Sequence, residues 1–120
     1  MLKLVDRGYD VWFSNARGVK YSNYNEKDDQ WSLKERWDFN WADMAIEDIP
    51  AVITKVLETT GKPKVTVIGY SMGSAQMFYS LAKLQDFHAD RINRFIAIGP
   101  CVFFQGQSNV LKLSHDNSYE

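Results

Sequence analysis

The sequence has little of what marks several large classes of protein. Its 120 residues include one cysteine, Cys101, which excludes an internal disulfide and which we interpret as a small apolar residue at a strand end. The net charge of −1 gives no indication of nucleic-acid binding. No apolar run approaches the roughly 20 residues of a membrane-spanning helix. Neither metal-ligand spacing nor a phosphate-binding glycine loop occurs, so we expect no metal and no cofactor.

The most informative motif in the sequence is the pentapeptide Gly-Tyr-Ser-Met-Gly at residues 69–73. The β-branched run at 64–68 predicts a buried strand, and apolar residues at helical spacing predict a helix over 72–84. This order is typical of a nucleophile elbow, in which a sharp turn raises the Ser71 hydroxyl above the sheet edge. The backbone N–H of Met72 then points to where an oxyanion would form. The alternative is a glycine-rich turn of another α/β fold that binds nothing.

The two glycines of the pentapeptide have a steric explanation. We expect a Cβ at Gly69 or at Gly73 to clash with the neighbouring strand or helix.

Two further strands and one long helix are predicted around the elbow. Residues 8–14 are rich in β-formers, and residues 94–100 form a second apolar run that predicts a strand. Between them, we expect a polar connection at 15–30 and another at 86–90. Strands that alternate with helices indicate a parallel sheet with helices on both faces.

The helix before the elbow has start and stop signals. The pattern becomes helical from Asp43, with Asp48 as a plausible cap, Pro50 in the first turn of the main helix and Gly61 at its end. Its predicted apolar stripe consists of Met44, Ile46, Ile49, Val52, Ile53, Val56 and Leu57.

Three of the four tryptophans precede this helix, at Trp31, Trp37 and Trp41. A lipid-facing patch is one interpretation. We favour packing of these rings over the sheet edge and the next helix.

A serine at an elbow needs a histidine to accept its proton and a carboxylate to orient that histidine. Of the two histidines, His88 is expected at the far end of the elbow helix, about 25 Å from Ser71 at 1.5 Å per residue. His115 lies in a tail without a clear pattern, with too little sequence before it for the strands that present an acid and a base. We therefore expect neither histidine to be the catalytic base.

Three collinear segments resemble the acid lipase family, the neutral-lipid hydrolases related to gastric and lysosomal acid lipases. Residues 8–18 (GYDVWFSNARG) match a family segment G-Y-D-V-W-x-x-N-x-R-G. Residues 37–51 (WDFNWADMAIEDIPA) match W-x-F-x-x-x-x-M-A-x-x-D-(L/I)-P-A, and Thr60-Gly61 then leads into the elbow strand. The resemblance covers about residues 5–102.

The resemblance implies a serine ester hydrolase that degrades neutral lipids through an acyl-serine intermediate on Ser71, with the Met72 N–H as an oxyanion donor. It implies a lipid ester substrate of the triacylglycerol or cholesteryl ester class, contact of the complete enzyme with a lipid interface, and a secreted or lysosomal location. The family usually has His where this chain has Tyr70, and Gln where it has Met72. We expect Tyr70 to alter access to the site more than mechanism, and Met72 to preserve function because only its backbone is needed for the oxyanion hole.

Other family parts do not fit within the chain, so we expect a partial α/β-hydrolase fold: a single incomplete domain over 1–120. By resemblance, the second oxyanion donor precedes Met1, while the cap and the triad Asp and His follow the strand at 94–100. Residues 103–120 would begin the cap or form a disordered tail. Because residues 1–7 already contain an acid and a base, we expect no signal peptide there.

Two alternatives stay open at this point. One is another reaction on the same fold, such as peptide, thioester or lactone hydrolysis, because a fold does not fix a function. The other is a truncated remnant without catalysis. For the isolated 120-residue chain we expect no activity, since two triad members are missing.

Overall fold

The computed structural model describes residues 2–22 and 32–102. Helix α1 spans Leu2–Val5 and ends in a turn at Gly8, whose N–H donates to the Val5 carbonyl at 2.8 Å. The strand predicted at 8–14 is wrong, because residues 9–16 have no regular structure and Phe13 is 67% exposed. A strand needs a neighbour for its backbone hydrogen bonds, and no described strand pairs with this segment.

The helical region before the elbow begins earlier than predicted. After the short helix α2 (Leu33–Arg36), helix α3 (Trp41–Asp43) starts behind a capping box on Asn40. The Asn40 side chain accepts from the Ala42 N–H at 2.8 Å, and the Asp43 carboxylate accepts from the Asn40 N–H at 2.8 Å. These bonds satisfy N–H groups that would otherwise lack a partner, and so they fix the start of the helix.

A π-helical segment, Met44–Asp48, continues α3 into helix α4, Ile49–Thr60. Pro50 lies in the first turn of α4, and Gly61 ends that helix in the left-handed region at φ 66°, both as predicted. Asp48 occupies the predicted position immediately before α4, but its backbone is helical and its carboxylate bonds Arg17, so it makes no capping hydrogen bond. Ile46 is 38% exposed, since the wider π turn takes it out of the predicted stripe.

The described sheet has two parallel strands, β1 (Val65–Tyr70) and β2 (Ile92–Ile98), instead of the expected three. Their register pairs Val67 with Phe95 and Tyr70 with Ile98, after an irregularity beside Val65. Compared with the predictions, β1 extends two residues further, whereas β2 begins and ends two residues earlier. Parallel pairing requires a crossover, which the helices between the strands provide.

The crossover consists of α5 (Met72–Lys83) and α6 (Gln85–Ala89). The polar connection predicted at 86–90 is therefore wrong. This segment is helical because two of its residues are held against the rest of the structure. Phe87 is half-buried, and His88, which is 2% exposed, bonds the buried Ser80 of α5.

Helix α5 lies between β1 and the π-helical segment, and the core is on this side of the sheet. Ala45 and Met77 are almost fully buried there, and the Phe78 ring packs edge-on against Phe95 with centroids 5.1 Å apart. On the other face, the described structure leaves four apolar side chains of β1 and β2 exposed: Ile68, Tyr70, Ile96 and Ile98. The described residues thus form a parallel α/β layer with one covered face.

The ring contacts of the described tryptophans differ from the predicted packing over the sheet edge and the next helix. The Trp41 ring packs edge-on against Tyr79 of α5, with centroids 5.2 Å apart. Trp37 instead stacks on Phe39 and lies against Gly18, and Trp31 falls outside the described residues. Within residues 2–22 and 32–102, no helix combines the length and the apolarity needed to cross a membrane.

Candidate active site

Ser71 forms the turn between β1 and α5 by itself. Its backbone lies at φ 52° and ψ −119°, and among the described residues it alone has a positive φ without being glycine. Such a conformation stores about 1–3 kcal/mol of strain and persists only where the surroundings hold it. The Ser71 N–H donates to the Ile98 carbonyl at 2.9 Å, and the Ser71 carbonyl accepts from the Ser74 N–H at 3.0 Å. The predicted strand, sharp turn and helix are therefore present.

The two elbow glycines differ in their surroundings. A Cβ on Gly69 would lie 2.9 Å from both the Cα and the N of Ser74, which are backbone atoms that cannot move aside. The predicted clash therefore exists at this position. A Cβ on Gly73 would have no atom within 4 Å in the described structure, so the steric explanation is wrong for that glycine. Gly73 is a half-buried residue in the first turn of α5.

The start of α5 offers donors beside the Ser71 hydroxyl. As the first residues of the helix, Met72 and Gly73 have backbone N–H groups without an intrahelical acceptor. The helix dipole adds partial positive charge at this end, which favours a developing negative charge. Met72 is 54% exposed and Tyr70 is 74% exposed, and the half-buried Ser71 lies between them in the chain.

Cys101 lies next to Ser71, which the sequence interpretation missed. Its Sγ is 3.6 Å from the Ser71 Oγ, and the residue is exposed, three positions after the end of β2. The interpretation of Cys101 as an apolar residue at a strand end is therefore wrong. The available signal was the parallel register: β1 and β2 both end at this edge, where Tyr70 pairs with Ile98.

No described histidine stands beside Ser71. His88 is buried in α6, and its Nε2 lies 2.8 Å from the Ser80 Oγ, in agreement with the expectation that it is not the base. His115 and the other residues of the 103–120 tail lie outside the described part of the chain. The described ranges also contain no group of three or more His, Cys, Asp and Glu residues that could hold a metal ion.

An ion-pair cluster joins two of the three sequence segments that carry the resemblance, residues 8–18 and 37–51. Arg17 donates through Nε to the Asp48 Oδ1 at 2.8 Å, and its Nη2 also reaches Asp48 and Glu47. The guanidinium lies over the Phe39 ring, 5.6 Å from the centroid. Hydrogen bonding to Asp48, reinforced by Glu47, raises the pKa of Arg17 above its ordinary value. The cluster fixes the segment around residue 17 to the π-helical segment.

The sequence motifs alone did not predict this contact between the two segments. An arginine in the first and the adjacent Glu47 and Asp48 in the second were the available signal, since a partly buried guanidinium is stabilised by carboxylate partners.

The family model for the alpha/beta hydrolase fold matches residues 1–119. The chain therefore belongs to the alpha/beta hydrolase fold family.

Several curated relatives carry lipase names. A probable lipase of Schizosaccharomyces pombe is 44% identical over 106 residues, which cover 88% of this chain and 22% of the relative. Lipase lipl-3 of Caenorhabditis elegans is 40% identical over 96 residues, 80% of this chain and 24% of the relative. Lipase member M of Homo sapiens is 35% identical over 97 residues, 81% of this chain and 22% of the relative. The chain thus spans less than a quarter of these relatives' lengths. No solved structure matches it significantly.

Proposed function

We propose that the protein is a lipase-type serine ester hydrolase in which Ser71 is the nucleophile. The Ser71 Oγ attacks the ester carbonyl and forms an acyl-serine, and the alcohol leaves. The Met72 N–H donates to the oxygen that becomes negatively charged. Water then attacks the acyl-serine and releases the fatty acid. A histidine base and a carboxylate that orients it complete the reaction, and we place both outside the described residues.

The observation that carries this proposal is the strained backbone of Ser71 at the end of a parallel strand. A strained residue is retained where its conformation is used, and here the strain presents a hydroxyl at the positive end of a helix. The tight contact between Gly69 and Ser74 supports the same interpretation, because it brings strand and helix close enough to form the turn.

For the substrate we propose a lipid ester, of the triacylglycerol or cholesteryl ester class. The lipase names of the relatives support a lipid ester in general. The exposed apolar side chains beside Ser71, Tyr70 and Met72, support an apolar acyl chain at the site. We further propose that the complete enzyme contacts a lipid interface and is secreted or lysosomal.

Replacement of Ser71 by alanine in the full-length protein tests the proposal. We expect hydrolysis of emulsified triacylglycerol and of p-nitrophenyl butyrate to fall by roughly 10⁴-fold or more, because the acyl-serine cannot form. A fluorophosphonate probe should add to the peptide that contains Ser71 in the wild type and not in Ser71→Ala. The matched control is Thr59→Ala, which removes an exposed hydroxyl from the last turn of α4, beyond the amino-terminal end of β1.

The outcomes separate the alternatives. Ser71-dependent hydrolysis of a peptide or thioester, without turnover of lipid esters, would favour another reaction of this fold. Unchanged esterase activity in Ser71→Ala would contradict the proposed nucleophile. A folded full-length protein that hydrolyses none of these substrates and takes up no probe would favour the non-catalytic alternative.

A further inference from the structure

A second serine–histidine contact lies away from the candidate active site, at the junction of α5 and α6. His88 is 2% exposed and Ser80 is fully buried, and the imidazole Nε2 lies 2.8 Å from the Ser80 Oγ. The Phe87 ring packs edge-on against the imidazole, with centroids 5.1 Å apart. This pair joins the short helix α6 to α5, so we name it the Ser80–His88 latch.

In the latch, only one of the two imidazole nitrogens of His88 has a hydrogen-bond partner among the described residues. Ser80 can bond Nε2 either as donor or as acceptor, whereas Nδ1 is buried and has no hydrogen-bond partner within the described chain. A protonated imidazole has an N–H on both nitrogens and a positive charge, and each buried N–H needs an acceptor. The folded junction provides one acceptor at most, so an imidazolium there would be a poorly paired buried charge.

The charges around the latch do not favour protonation. Arg91, in the turn after α6, donates to the Phe87 carbonyl at 3.0 Å and has its guanidinium 4.3 Å from the centroid of the Phe87 ring. Burial, and then the charge of Arg91, lower the pKa of His88 below its ordinary value. The charged residues on the elements at this junction are Lys64, Lys83, Asp86, Asp90 and Arg91. The two aspartates are exposed, and neither bonds the His88 ring.

We infer that the Ser80–His88 latch is a pH-sensitive device that holds α6 against α5 at neutral pH and releases it when His88 takes up a proton. Opening would expose the imidazole to water, where the charge is solvated. Because α6 leads directly into β2, release would also loosen the entry to the strand that ends beside Ser71. This inference concerns local stability and stands independently of the proposed reaction.

The sign of the effect follows from proton linkage. The open state binds a proton near the ordinary histidine pKa of about 6.5, and the closed state binds it only at lower pH. Closure is therefore fully stable above about pH 6.5 and weakens as the pH falls from there towards the lowered pKa of folded His88. Within that window the opening equilibrium constant rises by up to about tenfold per pH unit.

Amide hydrogen exchange of the full-length wild-type protein between pH 8 and pH 5 tests the inference. After correction for the intrinsic pH dependence of exchange, we expect protection of the His88 and Arg91 amides, which donate to the Leu84 and His88 carbonyls, to fall below pH 6.5 by up to about tenfold per unit. Amides in the middle of α4 should show no such step. Uniform protection of α6 over this pH range would overturn the inference.

Two variants assign the effect to a residue. His88→Gln keeps an amide that can bond Ser80 and cannot titrate, so it should abolish the pH-dependent step. His115→Gln removes the other histidine of the chain and should leave the step in place. A step that persists in a folded His88→Gln, or that disappears in His115→Gln, would contradict the assignment. If His88→Gln does not fold, NMR titration of ¹⁵N-histidine-labelled wild type decides, because a His88 imidazole that titrates at or above pH 6.5 without opening of α6 contradicts the latch.

Discussion

At the residue scale, the candidate site depends on backbone conformation at two neighbouring positions. Ser71 takes a backbone conformation that few residues other than glycine adopt. Gly69 lacks a Cβ, and this lets β1 and α5 approach so closely that an added methyl group would overlap Ser74. The sequence pattern predicted the turn because glycine spacing reports such constraints. It did not distinguish the two glycines, because their environments depend on which elements cover them.

This difference gives a matched pair of substitutions. Gly69→Ala should lower the free energy of unfolding by about 1–3 kcal/mol, because its Cβ meets backbone atoms of Ser74. Gly73→Ala should be neutral or raise it by roughly 0.5–1 kcal/mol, because Gly73 is helical and open to space. Urea denaturation of the two variants beside wild type measures both effects. Equal destabilisation by both substitutions would show that Gly73 is also in close contact.

At the element scale, the Arg17 cluster explains how a segment without regular structure keeps its place. Arg17 holds the segment through Asp48, and Gly18 lets the rings of Trp37 and Phe39 pack directly on the backbone, since a Cβ there would meet Trp37 at 2.8 Å. The Asp48 side chain is 22% exposed and that of Glu47 is 59% exposed. The two carboxylates should therefore contribute unequally.

A double-mutant cycle separates the two carboxylates. For Arg17→Gln with Asp48→Asn, we expect a coupling free energy of about 1–2 kcal/mol, because the pair is partly shielded and has more than one hydrogen bond. The matched cycle with Glu47→Gln should give less than about 0.5 kcal/mol, because solvent screens an exposed pair. The free energies come from urea denaturation of each variant. Equal coupling in both cycles would contradict the ranking by exposure.

Some of these helices and strands could be predicted from the sequence, and others could not. Local signals placed the elements around the elbow, since Pro50, Gly61 and the β-branched run before Gly69 act within a few residues. The predicted strand at 8–14 failed because strand formation depends on a neighbour, which local composition does not reveal. Similarly, α6 was missed because His88 looks polar in sequence, whereas a single partner, Ser80, allows it to be buried.

At the scale of the whole molecule, the described chain is one layer of helices on a two-stranded parallel sheet. The other face of that sheet exposes Ile68, Tyr70, Ile96 and Ile98. Apolar parallel strands are normally covered on both faces. This open face agrees with the coverage of the curated relatives, of which the chain spans less than a quarter.

Accordingly, we expect the 120-residue chain alone to show no serine-dependent turnover. Its described histidine is engaged by Ser80, so Ser71 has no described base. Hydrolysis of p-nitrophenyl butyrate by the purified chain should equal that of its Ser71→Ala variant, with the full-length protein as positive control. Turnover by the isolated chain that disappears in Ser71→Ala would contradict this expectation and would place a base within these residues.

The π-helical segment Met44–Asp48 has a consequence for the number of residues the chain can hold there. A π turn accommodates one more residue than an α turn, so its length sets the rotation between α3 and α4. An α-helix advances about 100° per residue. Regular α-helical winding of the same five residues would therefore rotate Trp41 relative to α4 and away from Tyr79, whereas deleting one residue would restore a regular helix with Trp41 nearly in place. The π turn therefore absorbs one extra residue while the Trp41 ring keeps its contact with Tyr79.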